Sequence, residues 1–266
     1  MKKPGFGYLF LGVFAYLIFL VVTVPATWLS WGLARITHGA VDLNEERGSL
    51  WVGHGRLIVH YPRSTPQDLG QTEWRVNPLW LPLGRLQVFL KATGSRSDLA
   101  ATVSITPKRI VLQRSHISTD ANMASAFYAP ARLFAPKGRL RFSADHLTLD
   151  TNGLHGNAVI TWEGASSGLS SVQPLGDYRI DISGTGAEAA LKLTTLRGDL
   201  QLSGTGRWQL LETGDLQFNG VARPRSRGQE LQSLLNLFGR DQGGGRRTLR
   251  LRTRLPLLSL TPTPSP

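Results

Sequence analysis

A chain of 266 residues with 41% hydrophobic and 18% charged side chains can bury a sizeable core, which excludes wholesale disorder. It has no cysteine, so disulfides, thiol catalysis and cysteine-ligated metal sites are excluded as well. The formal net charge of +12 suits an anionic partner, whether nucleic acid, lipid head groups or an acidic protein surface.

Lys2 and Lys3 precede a run from Phe6 to Leu33 without a charged side chain, and Arg35 follows it. A hydrocarbon core of roughly 30 Å needs about 20 helical residues to cross. The run therefore predicts a single transmembrane helix with Phe6, Leu9, Phe14 and Leu20 in its core. Beyond Pro25, Trp28 and Trp31 fall where an interfacial aromatic belt would sit. A cleaved signal peptide is one alternative, because Val24-Pro25-Ala26 offers small residues to a peptidase. The apolar run is longer than the usual h-region of roughly 7–15 residues, which favours a retained anchor. A buried core helix is the other alternative. Short basic N-termini stay in the cytoplasm, so the bulk of the chain belongs on the far side of the membrane. Nucleic acid is then an unsuitable partner, and anionic lipid or acidic protein the better one.

This reading divides the chain into a cytoplasmic tip and anchor (1–35), an exported all-β domain (36–255) and a disordered Pro/Thr tail (256–266). Leu33 to Glu46 reads as a short amphipathic exit from the membrane, with Glu45 and Glu46 in a linker. The stretch from Arg47 to Tyr61 has glycines between short alternating runs, a strand-and-bend pattern. Prolines from Pro78 to Pro82 argue against an uninterrupted helix there.

From Leu86 onward the apolar residues recur with period two. Strands are predicted over 86–92, 100–105, 109–113, 140–142, 147–150, 156–162 and 178–183. Further ones follow over 190–194, 199–203, 207–210, 215–219 and 248–254. Short strands between Gly, Asn and Asp turns imply antiparallel hairpins with one apolar and one wet face, and no parallel βαβ units. Gly198 to Gly204 and Gly214 to Gly220 form a weak repeat, read equally as meander strands or as two similar hairpin arms. Two helical segments interrupt the pattern: Ala121–Phe134, broken by Pro130, and Gln229–Phe238, with Leu231, Leu234, Leu235 and Phe238 at helical spacing. The fold class is thus mostly β: an N-terminal helix, then a large antiparallel and curled open sheet with one or two short helices.

Catalytic patterns are formal only. Asp145-His146 are neighbours on a strand and point to opposite faces. Gly164-Ala-Ser-Ser-Gly168 matches G-x-S-x-G but reads as a Ser/Gly loop without the strand-turn-helix that motif requires. Gly184-Thr-Gly186 and Gly204-Thr-Gly206 read as glycine pairs between strands, with no helix N-terminus to hold a phosphate. No metal or cofactor is implied, and an enzyme is not expected. The electrostatic feature is Arg250, Arg252 and Arg254 on one strand face, which with Arg246 and Arg247 would form a ridge for lipid phosphate or an acidic partner. The plainer role of such a ridge is to discourage edge pairing.

The order of several motifs is distinctive. An anchor precedes Gly48, Trp51, Gly53 and Gly55; then come Trp74 and Pro78, later Pro174-Leu175-Gly176 with Tyr178, and finally Gly204 and Gly206 before the Leu-rich helix that ends at Gly239. This order resembles the protein N family of the type II secretion system (GspN). The resemblance implies a non-catalytic, single-pass accessory subunit of the bacterial inner membrane. Its bulk would lie in the periplasm and contact other secretion subunits during export of folded proteins across the outer membrane. It implies no cofactor. The layout is also similar to AsmA-like proteins, which suggests a lipid-binding or lipid-transfer alternative, with phospholipid on an apolar concave face. Leu86, Val88, Leu112, Phe142, Leu149, Ile160, Leu193, Leu202 and Phe218 would then line the trough, or else form ordinary core.

Overall fold

The computed structural model describes residues 16, 19, 23–37, 39, 41–60, 66–95, 97–123, 131–211, 214–239 and 241–254. Among them a short helix, α1 (Thr27–Ile36), leads into β1 (Val41–Gly48), β2 (Val52–Val59), β3 (Gln67–Asn77), β4 (Leu86–Thr93), β5 (Asp98–Thr106) and β6 (Arg109–Asp120). A four-residue helix, α2 (Ala131–Phe134), precedes β7 (Pro136–Asp150), β8 (Gly153–Ser167), β9 (Gly176–Gly186), β10 (Glu188–Gly198), β11 (Leu200–Gln209) and β12 (Asp215–Pro224). Helix α3 (Gly228–Leu237) then leads to β13 (Arg247–Arg254). The thirteen strands form one antiparallel sheet in strict sequence order, with β1 and β13 as its outermost strands among the described residues.

Period-two sequence produces this sheet because each antiparallel pairing keeps opposed residues on the same face. One row across the strands runs Ile117, Phe142, Ile160, Ile180, Leu193, Gly204, Gly220 and Leu249. The neighbouring row, on the opposite face, runs His116, Ser143, Val159, Asp181, Lys192, Thr205, Asn219 and Arg250. The first row is apolar or glycine and the second largely polar.

Several strands are longer than their alternation suggests. Residues 140–142 and 147–150 belong to the single strand β7, because a bulge between Ser143 and Leu147 absorbs one residue without ending the strand. Leu200–Gln209 is likewise one strand through Gly204-Thr205-Gly206, where two were expected, and Gly184-Thr185-Gly186 closes β9. Glycine is needed within β11 because a Cβ on Gly204 would stand 2.5 Å from the Asn219 carbonyl oxygen and 2.6 Å from Cζ of Phe218. The Phe218 ring therefore lies over a glycine floor. Val41–Gly48 is an edge strand rather than a membrane exit, since Val41 and Leu43 alternate with Asp42 and Asn44 and pair with β2. Glu45 takes a positive φ of 53° in its bulge, so neither glutamate lies in a linker.

Three apolar clusters hold the sheet. At one end Leu29 and Leu33 of α1 pack with Leu43, Trp74 and Val76. Near the same ends of β8 to β11, Leu154, Ala189 and Leu210 gather Leu147, Leu149, Ile182 and Trp208. At the other end Leu231, Leu234 and Leu235 of α3 pack on Val172, Leu175, Leu200 and Ala222. The helix predicted at 229–238 is thus α3. In the 121–134 stretch only the 3₁₀ turn Ala121–Met123 and α2 fall within the described residues, and Pro130 lies outside them. Among the described residues no helix is long and apolar enough to cross a membrane. The expected anchor core positions Phe6, Leu9, Phe14 and Leu20 lie outside the described residues, as does the tail.

Candidate functional site

One face of the sheet carries an apolar row from β4 to β12. Leu86, Val88, Leu112, Phe142, Leu149, Ile160, Leu193, Leu202 and Phe218 all project from it, and each is only half-buried. Leu86 and Val88 pack in the cluster that holds Leu29 and Leu33 of α1, and Leu202 packs against the α3 leucines, while the others touch neighbours along the face. Near α3 the sheet curls enough for Leu140 on β7 and Leu202 on β11 to line one pocket with Leu234 and Phe238. Its volume is about 330 Å³; Trp162, Tyr178, Leu175 and Leu200 share the wall with Ala121, Phe134, Pro136 and Ser167.

The polar tips on this wall are satisfied by backbone rather than aimed into the pocket. Tyr178 donates its hydroxyl to the Leu200 carbonyl at 2.9 Å, and Trp162 donates its indole N–H to the Lys137 carbonyl at 3.0 Å. Burial, with the Asp177 charge adding to it, pushes the Tyr178 phenol well above its ordinary range. The pocket therefore offers hydrocarbon contact and no charge.

Three bulges line up near the α3 end of the sheet. Register shifts occur at Lys137/Arg139, at Trp162/Ala165 and at Thr195/Arg197, on three successive pairings. Asp177 sits at this line, its side chain only 11% exposed. It accepts a 2.7 Å hydrogen bond from the Gly164 amide and an ion pair from Arg197. Burial alone would raise the Asp177 carboxyl, but the Gly164 amide and the Arg197 guanidinium outweigh it and hold it below the usual carboxylate range.

This geometry disposes of the formal nucleophile. Gly164 to Ser167 finish strand β8 instead of forming a loop. Ser166 and Ser167 are buried and donate to the carbonyls of Gly164 and Phe134 at 3.1 and 2.7 Å. His146 contacts Thr148 at 3.3 Å, and among the described residues no three His, Asp or Glu side chains gather as a metal site.

The motif glycines and tryptophans are structural. Gly48 to Trp51 form the β1–β2 turn, in which Ser49 Oγ accepts from the Trp51 and Val52 amides. Trp74 donates its indole N–H to the Ser49 carbonyl at 3.1 Å, and its ring lies where a Cβ on Gly53 would stand. Gly55 is buried against Leu43, and Gly206 lies with Gly204 beneath Phe218. Pro78 opens an exposed 3₁₀ turn, Pro78–Leu83. Pro174, Leu175 and Gly176 lead into β9, with Leu175 donating its amide to the Ala165 carbonyl at 2.7 Å.

The arginine ridge divides in two. Arg250, Arg252 and Arg254 lie on the polar face of edge strand β13, and Arg254 pairs with Asp215 at 3.0 Å. Arg250 and Arg252 stand opposite Asn219 and Gln217, which carry no charge. Arg246 is exposed in the turn before the strand. Arg247 departs from the expected ridge because it points to the apolar face, opposite Ala222. There it is buried and ties α3 to the edge through Asp241 at 2.8 Å and Asn236 at 3.4 Å. Of the expected membrane tryptophans, Trp28 and Trp31 are 63% and 60% exposed on the outer side of α1, with Arg35 over the Trp31 ring.

The family model described as Type II secretion system (T2SS), protein N, matches residues 39–250. The match spans the motifs from Gly48 through the α3 helix and stops within β13. No curated protein and no solved structure matches the chain.

Proposed function

The chain belongs to the type II secretion system protein N family, and from that premise we propose a non-catalytic accessory subunit anchored in the bacterial inner membrane. Its sheet stands in the periplasm and acts by protein–protein contact in the export of folded proteins. The observation that carries the contact is the outer edge of β13, which pairs with no other strand among the described residues and where Arg250 and Arg252 stand opposite Asn219 and Gln217. An unprotected edge bearing a row of like charges favours an acidic partner strand and disfavours a second β13. The opposite edge is less available, since Thr37 occupies the Val41 backbone amide and a bulge interrupts β1. Arg246 adds to the same charge, whereas Arg247 is committed to α3. A photocrosslinker placed at Leu251 in secreting cells should capture another secretion subunit, and the double substitution Arg250→Glu/Arg252→Glu should abolish that product. Capture unchanged by the charge reversal would refute this use of the edge.

The apolar face supports a second reading, lipid binding, through the half-buried row from β4 to β13 and the 330 Å³ hydrocarbon-lined pocket beneath α3. Phospholipid acyl chains suit such walls without any catalytic group. Native mass spectrometry of the detergent-purified chain should then show bound phospholipid, and a lipid-free spectrum would remove this reading.

A further inference from the structure

The end of the sheet where α1 enters carries an apolar projection that the core does not use. In the 3₁₀ turn Pro78–Leu83, Leu79 is 80% and Leu83 73% exposed, and none of the six residues is buried. An exposed cluster of this kind is unusual for a surface that meets only water. Trp80 is also exposed, and the Arg85 guanidinium lies 5.6 Å from its ring centroid. Helix α1 repeats the arrangement independently, with exposed Trp28 and Trp31 and Arg35 at 5.4 Å from the Trp31 ring. Tryptophan with a neighbouring cation is the pairing that head groups and the acyl boundary accommodate together.

The two features occupy the same end of the sheet. Val76 and Leu86, which flank the turn, pack in the cluster that holds Leu29 and Leu33 of α1. Val76 donates its amide to the Trp51 carbonyl at 2.6 Å, and Leu50 donates to Val24 at 2.9 Å, so the chain arrives from its N-terminal apolar run beside this turn. The next hairpin turn at this end carries exposed Lys108. Helix α3 and its pocket lie at the opposite end.

We infer that the Pro78–Leu83 turn is a second membrane contact, seating its leucines and Trp80 in the interface of an anionic bilayer while Arg85 and Lys108 meet lipid head groups. The sheet then stands upright, with the α3 end directed away from the bilayer. This rests on the anchor proposed above. The cysteine-free chain permits a direct test. Leu83→Cys and, as the distal control, Leu237→Cys, which is 60% exposed on α3, are each labelled with an environment-sensitive fluorophore. The full chain is reconstituted in vesicles of phosphatidylethanolamine and phosphatidylglycerol. The Leu83 probe should shift to the blue and be quenched by acyl-brominated lipid, while the Leu237 probe remains in water. If the chain floats with the vesicles but the Leu83 probe stays aqueous, the inference falls and the anchor stands. Should the chain not float, both fall. Burial of both probes would mean general adhesion and would equally overturn the upright seating.

Discussion

Truncating one α3 leucine separates a seated helix from a loosely appended one. Leu234 is 2% exposed and stands between the core cluster at this end and the pocket, whereas Leu237, one turn on, is 60% exposed. Leu234→Ala removes buried hydrocarbon and leaves a cavity, a change that costs about 3 kcal/mol. Leu237→Ala should stay within roughly 0.5 kcal/mol of the parent protein. In a domain of this size each kcal/mol moves the midpoint by about 2–4 °C, so the first substitution should lower Tm by about 6–12 °C and the second by hardly any. Circular dichroism melts supply Tm, and urea titration with an unchanged m-value excludes a change in the unfolded state. Equal losses for the two variants, or a Leu234→Ala loss below about 1 kcal/mol, would refute the seating of α3 as a pocket wall.

Other outcomes follow from the same geometry. Asp177→Asn should cost about 1.5 kcal/mol, the low end for a charge-assisted hydrogen bond because Arg197 is largely exposed. Since the folded carboxyl is depressed, its contribution is complete above the unfolded value of about 4 and is lost as pH falls through the folded one. Acid titration of stability should therefore be shallower in Asp177→Asn, and an identical acid limb would count against the bulge clamp. Tyr178→Phe should lose about 1 kcal/mol with the Leu200 hydrogen bond. Because its phenol is raised, the stability it gives is complete below pH of about 10 and is lost above it. Ultraviolet titration should find one fewer ionisation-resistant tyrosine in the variant than in the parent protein. Gly204→Ala should cost about 1–3 kcal/mol by overpacking against Phe218 and the Asn219 carbonyl, measured by the same melts.

Much of the fold is legible in the chain because the period-two signal is strong where one face is apolar and the other wet. Leu86 to Ala92 and Thr248 to Arg254 have their expected strands almost residue for residue. The errors fall where geometry overrides local alternation. At Ser143 to Leu147 a bulge shifts the phase, so one strand reads as two. At Gly204-Thr205-Gly206 glycines that look like turn residues are the floor for a ring on the next strand. The Gly164–Ser167 segment has loop composition, yet the Asp177 carboxylate holds its backbone in the sheet. Arg247 breaks its ridge because position 247 has the opposite parity to 250, 252 and 254, a distinction already present in the numbering. The pocket beneath α3 had no local signature, since its walls come from strands β7, β8, β9 and β11 and meet only once the sheet bends.

Because each strand pairs only with the strands immediately before and after it, assembly never has to wait for a distant segment. Loop closure at every step spans one hairpin, so the entropic cost is low and the growing edge is always the newest strand. A polypeptide threaded through a translocation channel from its N-terminus can lay down this sheet strand by strand as it emerges. By the same logic a whole hairpin could be gained or deleted without rewiring the remainder, so long as the new neighbours keep their apolar sides in step.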